Sequence, residues 1–150
     1  ELNLPSHITA VGDHAFQDCK NLQTAYVPEA VRTIGDYAFA GCSLDMSDEN
    51  MPEYYSISIL LSEGLESVGD YAFSRMYGLT YLNLPQSLTT LGKGTFAGDN
   101  RLLSMRIPAK VTVIPDNLFE RCYELQGVSL PEGLQEIGAY AFYGPMRRTP

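Results

Sequence analysis

All six phenylalanines of the chain fall into one register, and no other feature constrains its fold so tightly. Phe16, Phe39, Phe73, Phe96, Phe119 and Phe142 are separated by 23, 34, 23, 23 and 23 residues, the 34 being one period plus an insertion of 11. Self-similarity at a fixed period of this length is the signature of a repeat architecture. Eleven residues before each Phe stand Pro5, Pro28, Ser62, Pro85, Pro108 and Pro131. Four before stand Gly12, Gly35, Gly69, Gly92, Pro115 and Gly138, each preceded by Val, Ile or Leu.

Each column has a physical reading. Apolar residues fourteen and twelve before the Phe, such as Ala25 and Val27 or Leu82 and Leu84, alternate as they do in a half-buried strand. The Pro that follows lacks an amide hydrogen and stops the strand. A second extended piece carries pairs such as Val31 and Ile34, and the Gly after it permits a turn conformation that a side chain resists. Asp13, Asp36, Asp70 and Asp116 then sit at cap positions of a short helical turn that swings the Phe inward. A unit of about 23 residues cannot cover its own apolar face, so successive units stack around one continuous core. The expected fold is an α/β solenoid of about six 23-residue repeats, with short parallel strands and short helical turns, forming a single domain over residues 1–150.

Charge and composition narrow the functions open to such a solenoid. Ten Lys and Arg against 18 Asp and Glu leave a net charge of −8, which disfavours nucleic acid and anionic membrane surfaces as partners. No apolar run approaches the ~18 residues of a membrane span, so direct membrane insertion is not expected. Only His7 and His14 are available as imidazole bases, and no nucleophile elbow, zinc-protease motif or phosphate-cradling loop is present. Gly92-Lys93-Gly94-Thr95 resembles a phosphate loop only superficially, because it lies in the turn column. The aspartates at the caps recur with the fold, and catalytic pairs do not recur every 23 residues. No catalytic residue, metal or cofactor is expected.

Cys19, Cys42 and Cys122 share one phase, three after Phe, which predicts buried thiols in an inward column. A disulfide between Cys19 and Cys42 on adjacent coils is the competing reading, disfavoured by the odd count and the close geometry it needs. Zinc is disfavoured further, because metal motifs pair Cys at spacings of two to four.

With Leu79-Thr80-Tyr81-Leu82-Asn83-Leu84-Pro85 and Ile34-Gly35-Asp36-Tyr37-Ala38-Phe39-Ala40-Gly41-Cys42 in view, nearly the whole chain resembles the BspA-type leucine-rich repeat family. That resemblance implies a right-handed leucine-rich repeat coil, a bacterial source, an extracellular or cell-surface location, and in some members adhesion to host matrix glycoproteins. The chain departs from the pattern at Ser62, at Thr95 and Leu118 in place of Ala, and at Met76, Asp99 and Pro145 in place of Cys. Glu1 lies inside the first strand and no N-terminal cap is visible, so the chain is expected to be a segment of a longer protein. Uncapped rungs also open the prospect of end-to-end self-association.

Two surfaces are candidates for partner binding. The first is the outward face of the strand sheet, with Thr24, Tyr26, Ser58, Leu60, Tyr81, Asn83, Ser104 and Arg106, where Tyr and Arg are frequent interface anchors. Good strand formers on a solvated surface are the competing reading. The second is the insertion, roughly residues 43–55, with Asp45, Asp48, Glu49, Glu53, Tyr54 and Tyr55 as contacts; a solvated loop competes, and calcium is disfavoured because the Gly and terminal acid of an EF-hand loop are missing. Tyr37, Tyr71 and Tyr140, two before Phe, are expected to pave the turn side. The expected function is a non-enzymatic binding module for a protein or glycoprotein, with host extracellular matrix as the favoured ligand. A structural spacer or a glycan-recruiting accessory module competes with it.

Overall fold

The computed structural model describes residues 1–44 and 55–144. Among these, eleven short strands follow one another: β1 (Leu2–Asn3), β2 (Ala10–Val11), β3 (Thr24–Val27), β4 (Thr33–Ile34), β5 (Ser58–Leu61), β6 (Ser67–Val68), β7 (Thr90–Leu91), β8 (Ser104–Arg106), β9 (Val113–Ile114), β10 (Gly127–Ser129) and β11 (Glu136–Ile137). Every pairing is parallel and joins one coil to the next. The first strand of each coil builds one side, in the orders β1-β3-β5 and β8-β10, and the second strand builds another, β2-β4-β6-β7 and β9-β11. Pro closes the first strand as the sequence predicts, and the six Phe rings stack one per coil at centroid spacings of 5.2 to 6.1 Å. The four inner rings are buried, while Phe16 and Phe142 at the two ends are half-buried.

The expected helical turns do not form: no helix occurs among the described residues. Positions two before and two after each Phe all have positive φ, between 54° and 61° for the eight that are not glycine. A left-handed residue on either side of the Phe prevents any right-handed helix from propagating. Alternate amides instead point along the solenoid axis. Phe39 N–H donates to Ala72 O (2.8 Å), Phe73 N–H to Thr95 O (3.0 Å) and Phe96 N–H to Leu118 O (3.1 Å), with parallel bonds from the residues two before and two after. This third ladder offsets a left-handed cost of roughly 1–3 kcal/mol per residue. The aspartates join it across coils: Asp13 Oδ1 accepts from Asp36 N–H, Asp36 Oδ1 from Asp70 N–H, Asp70 Oδ1 from Lys93 N–H and Asp116 Oδ1 from Ala139 N–H, all at 2.7–2.8 Å.

The glycine column also has a different cause from the one expected. None of Gly35, Gly69, Gly92 and Gly138 has positive φ; a Cβ on any of them would lie within 2.3–2.8 Å of the preceding coil's backbone or Asp carboxylate. Close approach of the coils, not turn conformation, excludes a side chain there.

Irregular residues break the sheets where they occur. Pro115 occupies a Gly slot and has no N–H to match the bond from Gly92 to Val68 O (2.8 Å), and β7 and β9 are not paired. On the other side, Tyr81–Asn83 was expected as a strand but carries no ladder. After the insertion, Ile57 bridges Leu79, a separation of 22 where Ser67 and Thr90 keep 23. By phase Ser56 stands where other coils bury Leu22, Leu79, Leu102 and Leu125, and the one-residue slip sets the buried Ile57 opposite Leu79 in its place; the following segment leaves the ladder register.

Candidate functional site

Period-two alternation sends Ala25, Val27, Ile59, Leu82, Leu84, Met105 and Ile107 into the core and their neighbours outward. On the outward face, Tyr26 is 44% exposed, Leu60 55% and Tyr81 61%, the three large apolar side chains that this side leaves to solvent in the middle coils. Registered pairing sets Tyr26 beside Leu60 and Thr24 beside Ser58. Tyr26 is steadied by a 3.3 Å hydrogen bond between its hydroxyl and Ser62 Oγ, the residue that replaces the strand-ending Pro. Asn83, Ser104 and Arg106 continue the exposed surface, and Thr24 is half-buried. The sheet beneath is interrupted at coil four, so the surface rests on two short sheets joined by the stacked core rather than on one continuous sheet.

The insertion contributes differently from expectation. Asp45, Asp48, Glu49, Glu53 and Tyr54 lie outside the described residues. Tyr55, expected as a partner contact, is buried: its hydroxyl donates to Leu22 O (3.4 Å) and accepts from Leu44 N–H (3.3 Å), and Arg101 Nη1 donates to its carbonyl (3.0 Å). Its ring lies over Gly78, where a Cβ would come within 2.7 Å. Burial raises its pKa, so the phenol stays protonated as that donor requires. Tyr55 anchors the return of the chain from the insertion.

The cysteine column is buried only where a coil precedes it. Cys42 Sγ donates to Phe16 O (2.9 Å) and Cys122 Sγ to Phe96 O (3.1 Å), whereas Cys19 in the first coil is exposed, having no earlier coil to cover it. All three are free thiols. Burial pushes the Cys42 thiol up to about 12, keeping it a protonated donor. In the same column Asp99 is fully buried; Oδ1 accepts from Met76 N–H (2.8 Å) and Oδ2 has no partner. Burial holds its pKa well above the usual carboxylate range. Nothing in the sequence beyond its column position signalled this group. Among the described residues no cluster of three His, Cys, Asp or Glu could hold a metal, and no helix is long and apolar enough to cross a membrane.

Six copies of the BspA type leucine rich repeat region match residues 1–57 and 53–147. The chain belongs to this family. Its structure is similar to a leucine rich repeat protein of T. pallidum, at 26% identity and a TM-score of 0.70 over 91% of this chain and 72% of the other. It is similar to a leucine rich cell surface protein of Faecalibacterium prausnitzii, at 25% identity and 0.78 over 95% of this chain and 38% of the other. A Bacteroides ovatus leucine-rich repeat protein matches at 26% identity and 0.63 over 91% and 38%. No curated protein matches the chain. The chain thus spans most of one solved relative and well under half of the other two.

Proposed function

We propose that this BspA-type array is a non-enzymatic, surface-exposed binding module that contacts a protein or glycoprotein partner through the outward face of its first strands, with adhesion to host matrix glycoprotein as its role. The observation that carries the reading is the exposure of Tyr26 and Leu60, paired on adjacent strands, with Tyr81 and Arg106 exposed in the corresponding segments of the next two coils. Large aromatic side chains give contact area at low entropic cost, and Tyr and Arg dominate interface energetics. The cell-surface description of the F. prausnitzii relative supports the location. Stacked coils hold the face rigid before binding, which reduces the ordering cost of association.

Biolayer interferometry against immobilised matrix glycoproteins tests this. Binding is expected, with a loss of about tenfold or more in Tyr81→Ala/Arg106→Ala, on the scale of a pair of interface anchors. Binding that is unaffected by that pair and abolished by deleting residues 45–54 would move the contact to the insertion. No binding to any matrix component would leave the spacer reading in its place.

A further inference from the structure

The turn of coil three breaks a hydrogen-bond pattern that four other turns keep. In those four the residue three after Phe returns its N–H to the Phe carbonyl, at 3.2 Å each for Cys19 to Phe16, Cys42 to Phe39, Asp99 to Phe96 and Cys122 to Phe119. Met76 N–H instead donates forward, to Asp99 Oδ1 of the next coil at 2.8 Å. Phe73 O belongs to a residue with no exposed surface, and no donor among the described residues reaches it.

A second oxygen at the same joint lacks a partner. Asp99 Oδ2 is buried and unbonded. The two atoms stand in a relation that the fold uses elsewhere, because side chains of this column reach the Phe carbonyl 26 residues earlier: Cys42 Sγ donates to Phe16 O at 2.9 Å and Cys122 Sγ to Phe96 O at 3.1 Å. Asp99 follows Phe73 by the same interval. An ionised carboxylate in that place sets oxygen against oxygen, whereas a carboxylic acid carries one O–H donor. One proton satisfies both atoms, as buried polar groups in native structures require. No charge nearby opposes it. From coil three the carboxyl meets uncharged Met76, and from coil five the Cys122 thiol, which burial keeps neutral and which is already committed to Phe96 O.

We infer that Asp99 is held as a carboxylic acid whose Oδ2–H donates to Phe73 O while Oδ1 accepts from Met76 N–H, a proton-operated latch that fastens the turn of coil three to coil four and opens when the proton leaves. The first-strand joint between these two coils is reduced to the bridge from Ile57 to Leu79, three residues beyond Met76, so the latch secures their weakest junction. Loss of the proton leaves two buried oxygens facing each other, and local opening from Met76 to Leu79 admits the water that solvates them.

Infrared difference spectra of the protein against Asp99→Asn, with native-state hydrogen exchange, test it. A protonated carboxyl band is expected at neutral pH and is expected to vanish in the variant. Protection of the Met76 amide, corrected for the intrinsic exchange rate, is expected to fall about tenfold or more between about pH 6 and about pH 9 in the parent. It is expected to stay constant in Asp99→Asn, whose side chain keeps an acceptor for Met76 and a donor for Phe73, and in Asp99→Cys, which restores the thiol of the column. A crystal structure of the parent near neutral pH is expected to place Oδ2 about 2.5–3.0 Å from Phe73 O. The absence of a protonated carboxyl band at neutral pH, a water molecule lodged between Oδ2 and Phe73 O, or equal pH dependence at Met76 in parent and Asp99→Asn would overturn the assignment.

Discussion

Asp99 shows how one side chain sets a local balance. At two other places its column holds a thiol that donates to a Phe carbonyl of the preceding coil, at 2.9 Å for Cys42 and 3.1 Å for Cys122. Asp99 instead accepts from Met76 N–H and, once ionised, leaves Oδ2 orphaned in the core. Because burial raises its folded pKa, the native state keeps a proton that the unfolded chain releases above about pH 3.9. This group's contribution to stability is full below that value and declines as pH climbs toward the folded pKa. Asp99→Asn keeps the acceptor for Met76 and removes the titration. It is expected to stabilise the protein near neutral pH by about 1–3 kcal/mol and to flatten this part of the stability profile; denaturant titrations at pH 4 and pH 7.5 that show the same difference between variant and parent would contradict this. At Gly69 the constraint is steric: a Cβ meets Asp36 N at 2.7 Å and Gly35 C at 2.7 Å. Gly69→Ala is expected to cost about 1–3 kcal/mol by overpacking, whereas Gly12→Ala, with nothing within 4 Å, leaves the melting temperature nearly unchanged.

At the scale of the element, each coil is joined to the next by three ladders, and they fail independently. Pro115 leaves β7 and β9 unpaired, while the turn ladder between the same coils persists through Gly94 N–H to Asp116 O (2.9 Å) and Gly98 N–H to Glu120 O (2.7 Å). Pro115→Gly supplies the missing donor. Hydrogen exchange is expected to show a protected amide at position 115 and slower exchange across β9; an amide at 115 that exchanges as fast as in an open loop would show that more than the missing N–H separates the strands.

Over the whole molecule, the stacked rings make stability a sum of nearest-neighbour interfaces. Phe96 is buried between Phe73 at 6.1 Å and Phe119 at 5.6 Å, whereas Phe142 is half-buried with a single ring neighbour among the described residues. Phe96→Ala is expected to cost about 3–5 kcal/mol and Phe142→Ala clearly less, read as denaturant midpoints. Equal losses would argue against stacking as the source of cooperativity.

The sequence by itself determined the repeat, the strand ended by Pro, the buried Phe spine and the outward strand face, because these follow from apolar periodicity and from residues with one backbone option. It also located the insertion and the column in which Asp99 is anomalous. Only the tertiary structure decided that the turns are left-handed pairs laddered across coils, that Gly serves close approach, that Cys19 is exposed and that Tyr55 faces the core. Those outcomes depend on what the adjacent coil presents 22, 23 or 34 residues away, and a periodic pattern records which side a residue faces but not the neighbour it meets there.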